Sequence, residues 1–500
     1  MSYCSEHCSK MNLYLRILFF IIISAFFYHN ITKNTIILAG DYPEYLLTTF
    51  SFYNHFSPDL RIEDVSSAKE LLKNSGYENN IINLINEYSN FLGDKYKPFP
   101  HGFRGYFFSL HNNSYCYHFW FYSLLVAIFK PLSNLMFTPI SCFVFVNTLF
   151  ILFVIFYILF ISAYKTSLKY LFSLFFFISP ILYYLNWLHP EVFSASCVYL
   201  GLLVLFEKKY IFSILCFTLG SFQNPPILFL IGLVFLNYFI ENKFRITLFI
   251  KYLFVSALVF VPSLFYYYNY KISNLIMYFG TDFDNISTSR FCSLFFDLSQ
   301  GVIVALPLIV FIFFFFIIYN FFKIKKLDLR LLFVALSVFI ISVPTMLQNN
   351  WNMGESGIIR YGVWISMPII FYVVMFSDKN FTKLKYLFVF LFTISQITII
   401  YLMNGPNIEN WRYLHFNDFS KYIFNNHPYL YNPEPEIFCE RIRHEEGLDI
   451  SYSPILYKNE EGNIRKIMFH INQVDSISLK YKLDRSKFVY KRDWVYYNFN

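Results

Sequence analysis

Apolar residues in this chain gather into runs of about twenty, the length that crosses a bilayer as a helix. The runs predict eleven spans, at 17–38, 139–163, 169–185, 190–206, 209–222, 225–240, 246–266, 299–321, 330–347, 358–376 and 385–403. The pair at 209–240 is the shortest. An aromatic helix from Tyr117 to Leu132, ending on Lys130-Pro131, is too short to span and reads as partly embedded. Between 39 and 116 lies a long polar loop. From Ile62 to Leu92 it has helical spacing (Val65, Ala68, Leu71, Leu72), which predicts one or two surface helices. Its end, Lys97-Pro98-Phe99-Pro100-His101-Gly102-Phe103-Arg104-Gly105, carries too much proline and glycine for a regular helix.

Basic residues fall in alternate loops: Lys165 and Lys169, Lys208 and Lys209, Lys243 and Arg245, Lys323 to Arg330, and Lys379 to Lys385. By the positive-inside bias these loops and residues 1–16, with Lys10 and Arg16, are cytoplasmic. The opposite loops and the tail, 404–500, are then external. In the tail, Tyr457 to Arg465 reads as a hairpin around Asn459-Glu460-Glu461-Gly462. The fold class is an all-α polytopic membrane protein, 17–403, with a small external α+β or β-rich domain at 404–500.

The 500 residues are 56% hydrophobic and 14% charged, which agrees with a membrane protein and not with a soluble chain of this length. The net charge of +8 belongs to cytoplasmic loops and gives no reason to expect nucleic acid. Eight cysteines make no framework. Cys4 and Cys8 with His7 between them lack the second pair of a metal site, and one bridge among Cys116, Cys292 and Cys439 is open.

Nearly every unusual polar cluster falls on the external side. Gly40-Asp41-Tyr42-Pro43-Glu44-Tyr45-Leu46-Leu47 follows the first span directly, and carboxylates at a membrane mouth are costly to keep without a use. The same residues also read as a helix start, with Asp41 as N-cap. Pro43 favours an extended Tyr42, so Asp41 and Glu44 are expected to face different ways. Further external clusters are Asn186 to Glu191, Ser221 to Pro226, the 267–298 segment, and Gln348 to Tyr361.

The order of these clusters resembles the membrane-embedded glycosyltransferases of the C superfamily (GT-C). Gly-Asp-x-Pro-x-Tyr-Leu-Leu at 40–47 is similar to the Gly-Asp-Glu-Pro-His-Tyr-Leu-Leu opening of some bacterial members. Ser179-Pro180 with His189-Pro190-Glu191 is similar to their Pro-Glu loop. Asp297-Leu298-Ser299-Gln300-Gly301 before Pro307, and Trp351-Asn352-Met353-Gly354 with Arg360-Tyr361 before Pro368, follow the later patterns. Tyr42 and Glu44 depart from the family's acid and histidine, and Asn224-Pro225 lacks a preceding basic residue.

The resemblance, covering 17–403, implies transfer of a sugar from a polyprenyl-phosphate carrier in the bacterial inner membrane. The acceptor is a lipid, glycan or protein on the external, periplasmic face. It implies Asp41 as general base, with Glu44 or Glu191 as second carboxylate. Substrate contacts are expected from His101, Arg104, His189, Asn224, Trp351, Glu355 and Arg360. No cofactor follows with certainty, and a divalent cation is compatible. Arg360 also fits a residue snorkelling at a helix end, and Trp187 and Trp351 fit interface anchors. A transporter or flippase, or an outer-leaflet polysaccharide polymerase or ligase, is the competing class.

Overall fold

Helices in this protein form where apolar residues run uninterrupted, and they stop at proline, glycine or charge. The computed structural model describes residues 2–33, 35–77, 84–93, 102–242, 247–322, 328–351, 358–380, 385–408 and 414–499. Among them, eight helices are long and apolar enough to cross a membrane: Met11–Thr32, Pro139–Ile161, Thr166–Tyr184, Pro225–Asn242, Phe249–Tyr270, Leu329–Leu347, Gly362–Asn380 and Tyr386–Asn407. The chain is a mostly helical, multi-pass membrane protein. Three of the eleven expected spans fall into shorter helices, Glu191–Phe206, Tyr210–Ser221 and Pro307–Tyr319. The last is cut short because a proline breaks the ladder after Val302–Ala305. The first helix ends at Thr32, six residues before the expected limit, and residues 35–39 are not helical.

Gly362–Asn380 is the axis of the bundle. It is buried from Gly362 to Ser377 and packs against Thr166–Phe177, Glu191–Phe206, Pro307–Phe322 and Leu329–Ser342. A helix apolar on all sides must be enclosed by other apolar surface. The outer helices expose Phe254, Leu264, Phe315, Phe390 and Tyr401 instead. Such a belt suits lipid and not water.

The two ends of the bundle differ. At one end, basic loops far apart in sequence meet in ion pairs: Lys165 with Asp378 (2.6 Å), Lys208 and Arg330 with Glu241 (3.1 and 2.9 Å), and Lys379 with Asp328. At the other end lie the polar clusters. There the expected surface helices occupy Ile62–Asn74 and Leu84–Gly93, and a further helix, Tyr42–His55, starts at the Asp41 cluster. Tyr42 is therefore helical, not extended. Asp41 stands at the N-cap position, but its side chain makes no capping bond. A three-stranded antiparallel meander, β1 (Gly102–Phe103), β2 (Tyr106–Phe108) and β3 (Ser114–Cys116), closes the loop.

The tail builds a four-stranded antiparallel sheet from β4 (Ile455–Lys458), β5 (Ile464–His470), β6 (Val489–Lys491) and β7 (Trp494–Asn498), in the order β4-β5-β7-β6. Its first hairpin is the one the sequence marks, with Asn459 N–H donating to the Asn463 carbonyl (3.0 Å). The sheet covers helices Asp418–Asn426 and Pro435–Arg443. The module is docked by polar contacts to 285–300: Tyr431 Oη to Asp297 Oδ2 (3.0 Å), an Arg441 guanidinium N–H to Gln300 Oε1 (2.9 Å), and Arg492 to the Asn285 carbonyl (2.7 Å). Cys116, Cys292 and Cys439 are free thiols, so no bridge forms among them.

Lys466 is buried in β5, where its ammonium donates to the Pro428 carbonyl (2.7 Å), Asn432 Oδ1 (2.5 Å) and Asn498 Oδ1. Lys466→Met strands these oxygens in the dry interior, at a cost of about 1–3 kcal/mol for each group left unpaired. Thermal unfolding of the full chain in detergent is expected to show a loss of at least ~2 kcal/mol.

Candidate active site

The chain after the first helix is laid across the mouth of the bundle by a few hydrogen bonds. Ile37 N–H donates to the Asn186 carbonyl (3.0 Å), and the two segments form a parallel bridge at Ile37 and Trp187. Asn186 receives Asn30 Nδ2 (2.7 Å) and donates to Thr35 Oγ1 (3.0 Å) and the Pro406 carbonyl (3.0 Å). This network sets Gly40, at φ +56°, against the His189 ring, and the next residue, Asp41, enters the centre of the cluster.

Asp41 Oδ2 accepts from Arg360 Nη1 at 2.6 Å, across 319 positions of sequence. Arg360 Nε lies 3.4 Å from Glu191 Oε1, and His118 Nε2 lies 3.4 Å from Asp41 Oδ2. The other nitrogen of His118 is hydrogen-bonded to Glu44 Oε2, which also accepts from the Cys116 thiol (3.2 Å). Asp41 and Glu44 thus converge on one imidazole, instead of facing apart. The cause is the early helix start: with Tyr42 helical, positions 41 and 44 lie one turn apart on one face. Gly105 (φ +79°) makes room for this, because a Cβ there would sit 2.6 Å from the Glu44 carboxyl carbon.

Burial alone would raise the Asp41 pKa, but His118 and Arg360 beside it hold the carboxyl well below the usual range. Burial lowers His118, yet the Glu44 and Asp41 carboxylates outweigh it and raise its pKa. Glu44 is raised, chiefly by burial. His189 is pushed down to about 3 by burial and is a neutral ring, 3.3 Å from the Ala39 carbonyl. The cluster opens on a cleft of about 220 Å³, lined by Asp41, His118, Arg360, Tyr361, Gln348 and Asn349 among others.

Of the residues singled out by sequence, Asp41, Glu44, Glu191, His189 and Arg360 come together. Asn224 is one layer below, donating to Ser194 Oγ (2.7 Å), while the adjacent Gln223 donates to Tyr45 Oη (3.4 Å). Arg104 is elsewhere: its guanidinium forms a two-toothed pair with Glu87 (2.9 and 3.1 Å). Trp351 and Trp187 are both fully buried, so neither is an interface anchor or an open stacking face. Trp351 instead packs under Arg290 and donates to Ser293 Oγ (3.2 Å). His101 and Glu355 lie outside the described residues. The sequence analysis did not single out His118, which links the two carboxylates from the short segment between β3 and the helix Phe121–Met136.

As to a divalent cation, Glu44, Cys116 and His118 offer an oxygen, a sulfur and a nitrogen within 4.8 Å of one another. A thiolate-containing set suits a soft ion such as zinc and not magnesium. Asp41 already faces a guanidinium.

Removing Arg360 takes the guanidinium away from both Asp41 and Glu191. Arg360→Gln is expected to destabilise the protein by about 3–5 kcal/mol, and Asp41→Asn in the same chain to restore part of this. A double-mutant cycle on thermal unfolding should return a coupling of ~2 kcal/mol; additive effects would mean that the pair contributes nothing. Comparison of the chain with protein-family models, with curated proteins and with solved structures finds no match, so what this cluster does is argued from its own geometry and chemistry.

Proposed function

We propose that this protein is an integral-membrane glycosyltransferase of the GT-C type. It moves a sugar from a polyprenyl-phosphate carrier to a lipid, glycan or protein acceptor on the outer face of the bacterial inner membrane. The observation that carries the reading is the Asp41–Arg360 pair at 2.6 Å, where the chain leaves its first apolar helix and a polar cleft begins. A carboxylate and a guanidinium at headgroup depth are what transfer from a phosphate-linked donor needs.

In the empty site Arg360 is paired with Asp41, which makes Asp41 a poor base. The Arg360 side chain also lines the cleft and is partly exposed there, so the guanidinium can still receive an anion. A phosphate brought by the carrier competes with Asp41 for this cation, in the paired geometry that arginine favours. As Arg360 turns to phosphate, the Asp41 pKa rises and the carboxylate becomes able to take a proton. The acceptor hydroxyl oxygen then bonds to the anomeric carbon, the bond from that carbon to the phosphate oxygen breaks, and the hydroxyl proton passes to Asp41. Polyprenyl phosphate leaves with its new charge facing Arg360. His118, in contact with both carboxylates, holds Glu44 by a hydrogen bond and steadies Asp41.

Asp41→Asn, Glu44→Gln and Glu191→Gln are to be compared for transfer at matched membrane levels. Asp41→Asn is expected to lose about 10²–10⁴-fold. Normal transfer by Asp41→Asn beside a dead Glu44→Gln or Glu191→Gln would move the base to the other carboxylate; normal transfer by all three would end the glycosyltransferase reading. Arg360→Lys should not restore full rate, because a point charge replaces a fork.

The same reading has eleven spans, the three shorter helices included, with residues 1–16 cytoplasmic and the tail outside. The gathering of Lys165, Lys208, Arg330 and Lys379 at the end opposite Asp41 supports it. A cysteine placed at the exposed Ser476, in a chain lacking its native cysteines, should react with an impermeant reagent in intact cells. Reaction only after permeabilisation would reverse the orientation.

A further inference from the structure

A second cavity lies beside the first. It holds about 530 Å³ between the C-terminal module and the loops around Arg290 and Trp351, and it shares Asn349, Asn350 and Glu446 with the Asp41 cleft. Five carboxylates line it, from Glu434, Glu436, Glu440, Glu446 and Asp493, against the guanidiniums of Arg290 and Arg492. Arg290 donates to the Met346 and Gln348 carbonyls, with its Nε left without a partner among the described residues, and Arg492 donates to Asn285. Glu436 accepts from the Trp351 backbone N–H (2.8 Å), and Glu434 is bonded to Ser289 and faces Lys491 (3.5 Å).

Glu440 is different. It is 1% exposed, and its Oε1 accepts from Gly447 N–H (2.7 Å), but its Oε2 has no partner among the described residues. A buried carboxyl oxygen without a donor is costly to maintain, and it lines a cavity large enough for a sugar ring. A phosphate would be repelled by this carboxylate surplus, so the cavity is not a second donor site. A hydroxyl-rich group carrying an ammonium would satisfy Glu440 and offset the surplus together.

We infer that this cavity binds the acceptor, and that the acceptor is an amino-bearing glycan whose ammonium reaches Glu440 while its chain leads through Asn349 and Asn350 to Asp41. This rests on the glycosyltransferase reading above. The charged groups facing Glu440 agree with it. Burial and the neighbouring Glu436 and Glu446 raise its pKa to about 8, against the opposing pull of the Gly447 N–H and Arg441. Below that pH Glu440 is a neutral acid, and an arriving ammonium displaces its proton.

The test uses the full chain in lipid nanodiscs without sugar donor. A β-1,4-linked glucosamine tetrasaccharide, its N-acetylated form and cellotetraose are titrated by calorimetry at pH 6.0 in two buffers of different ionisation heat. The amino form should bind at least about tenfold more tightly than the other two, a margin of ~1.4 kcal/mol, with about one proton released. Glu440→Gln should lose that margin and the proton release. Glu446→Gln, at the exposed rim, serves if the first variant does not fold, and should weaken binding several-fold. Equal binding of the three sugars, or an unchanged margin in both variants, overturns the inference. Undecaprenyl phosphate binding is measured in the same nanodiscs. A protein that binds this lipid but not the amino sugar keeps the Arg360 site and loses the acceptor pocket. One that binds the amino sugar but not the lipid keeps the pocket as a glycan site and loses the transferase reading.

Discussion

The bond from Arg360 to Asp41 holds together two parts of the chain that nothing local would join. Asp41 lies nine residues beyond the end of the first helix, directly before Tyr42–His55, and Arg360 stands two residues before the central helix Gly362–Asn380. Each charge is in a place where it would be expensive alone, because neighbouring apolar helices and, on the membrane reading, lipid headgroups deprive it of water. Together they are tolerable, and with Glu191, His118 and Glu44 they make a network in which no member can move without exposing another. The geometry of the cleft, which both residues line, depends on this pair being formed.

The apolar belt and the polar mouth solve separate problems. Around the outside, Phe254, Leu264, Phe315 and Phe390 are simply left facing lipid. Inside, Gly362–Asn380 is packed on all sides, which fixes the height and rotation of Arg360 at its start. The short helices Glu191–Phe206 and Tyr210–Ser221 pack against each other next to this axis, so Glu191 enters the site from a rigid element. Catalytic positioning is more exact from packed helices than from loops.

The C-terminal module contributes one carboxylate, Glu446, to the lining of the Asp41 cleft. Asp297 accepts from Tyr431 and Gln300 from Arg441, so removing the module would leave buried polar groups of the membrane domain without partners. Its edge, with Glu434, Glu436 and Glu440, also walls the larger cavity.

Much of the architecture was legible in sequence, since length and hydropathy decide whether a segment can cross a bilayer without help from the rest of the chain. Alternation of basic loops placed Lys165, Lys208 and Lys379 on one side, and the bend at Asn459–Gly462 announced its hairpin, because both signals are local. The exact span count was not local, as Glu191–Phe206 and Tyr210–Ser221 are too short to be judged without their neighbours. The site divides in the same way. Asp41, Glu44, Glu191 and Arg360 stood out because charge at the end of an apolar run is conspicuous. What tertiary structure alone decided was their pairing: that Arg104 turns to Glu87, that Trp187 and Trp351 are buried, and that His118 joins Asp41 to Glu44. Hydrogen bonds across 74 and 319 positions leave no periodicity in the sequence, because they arise only when separate helices pack and bring their ends to one place.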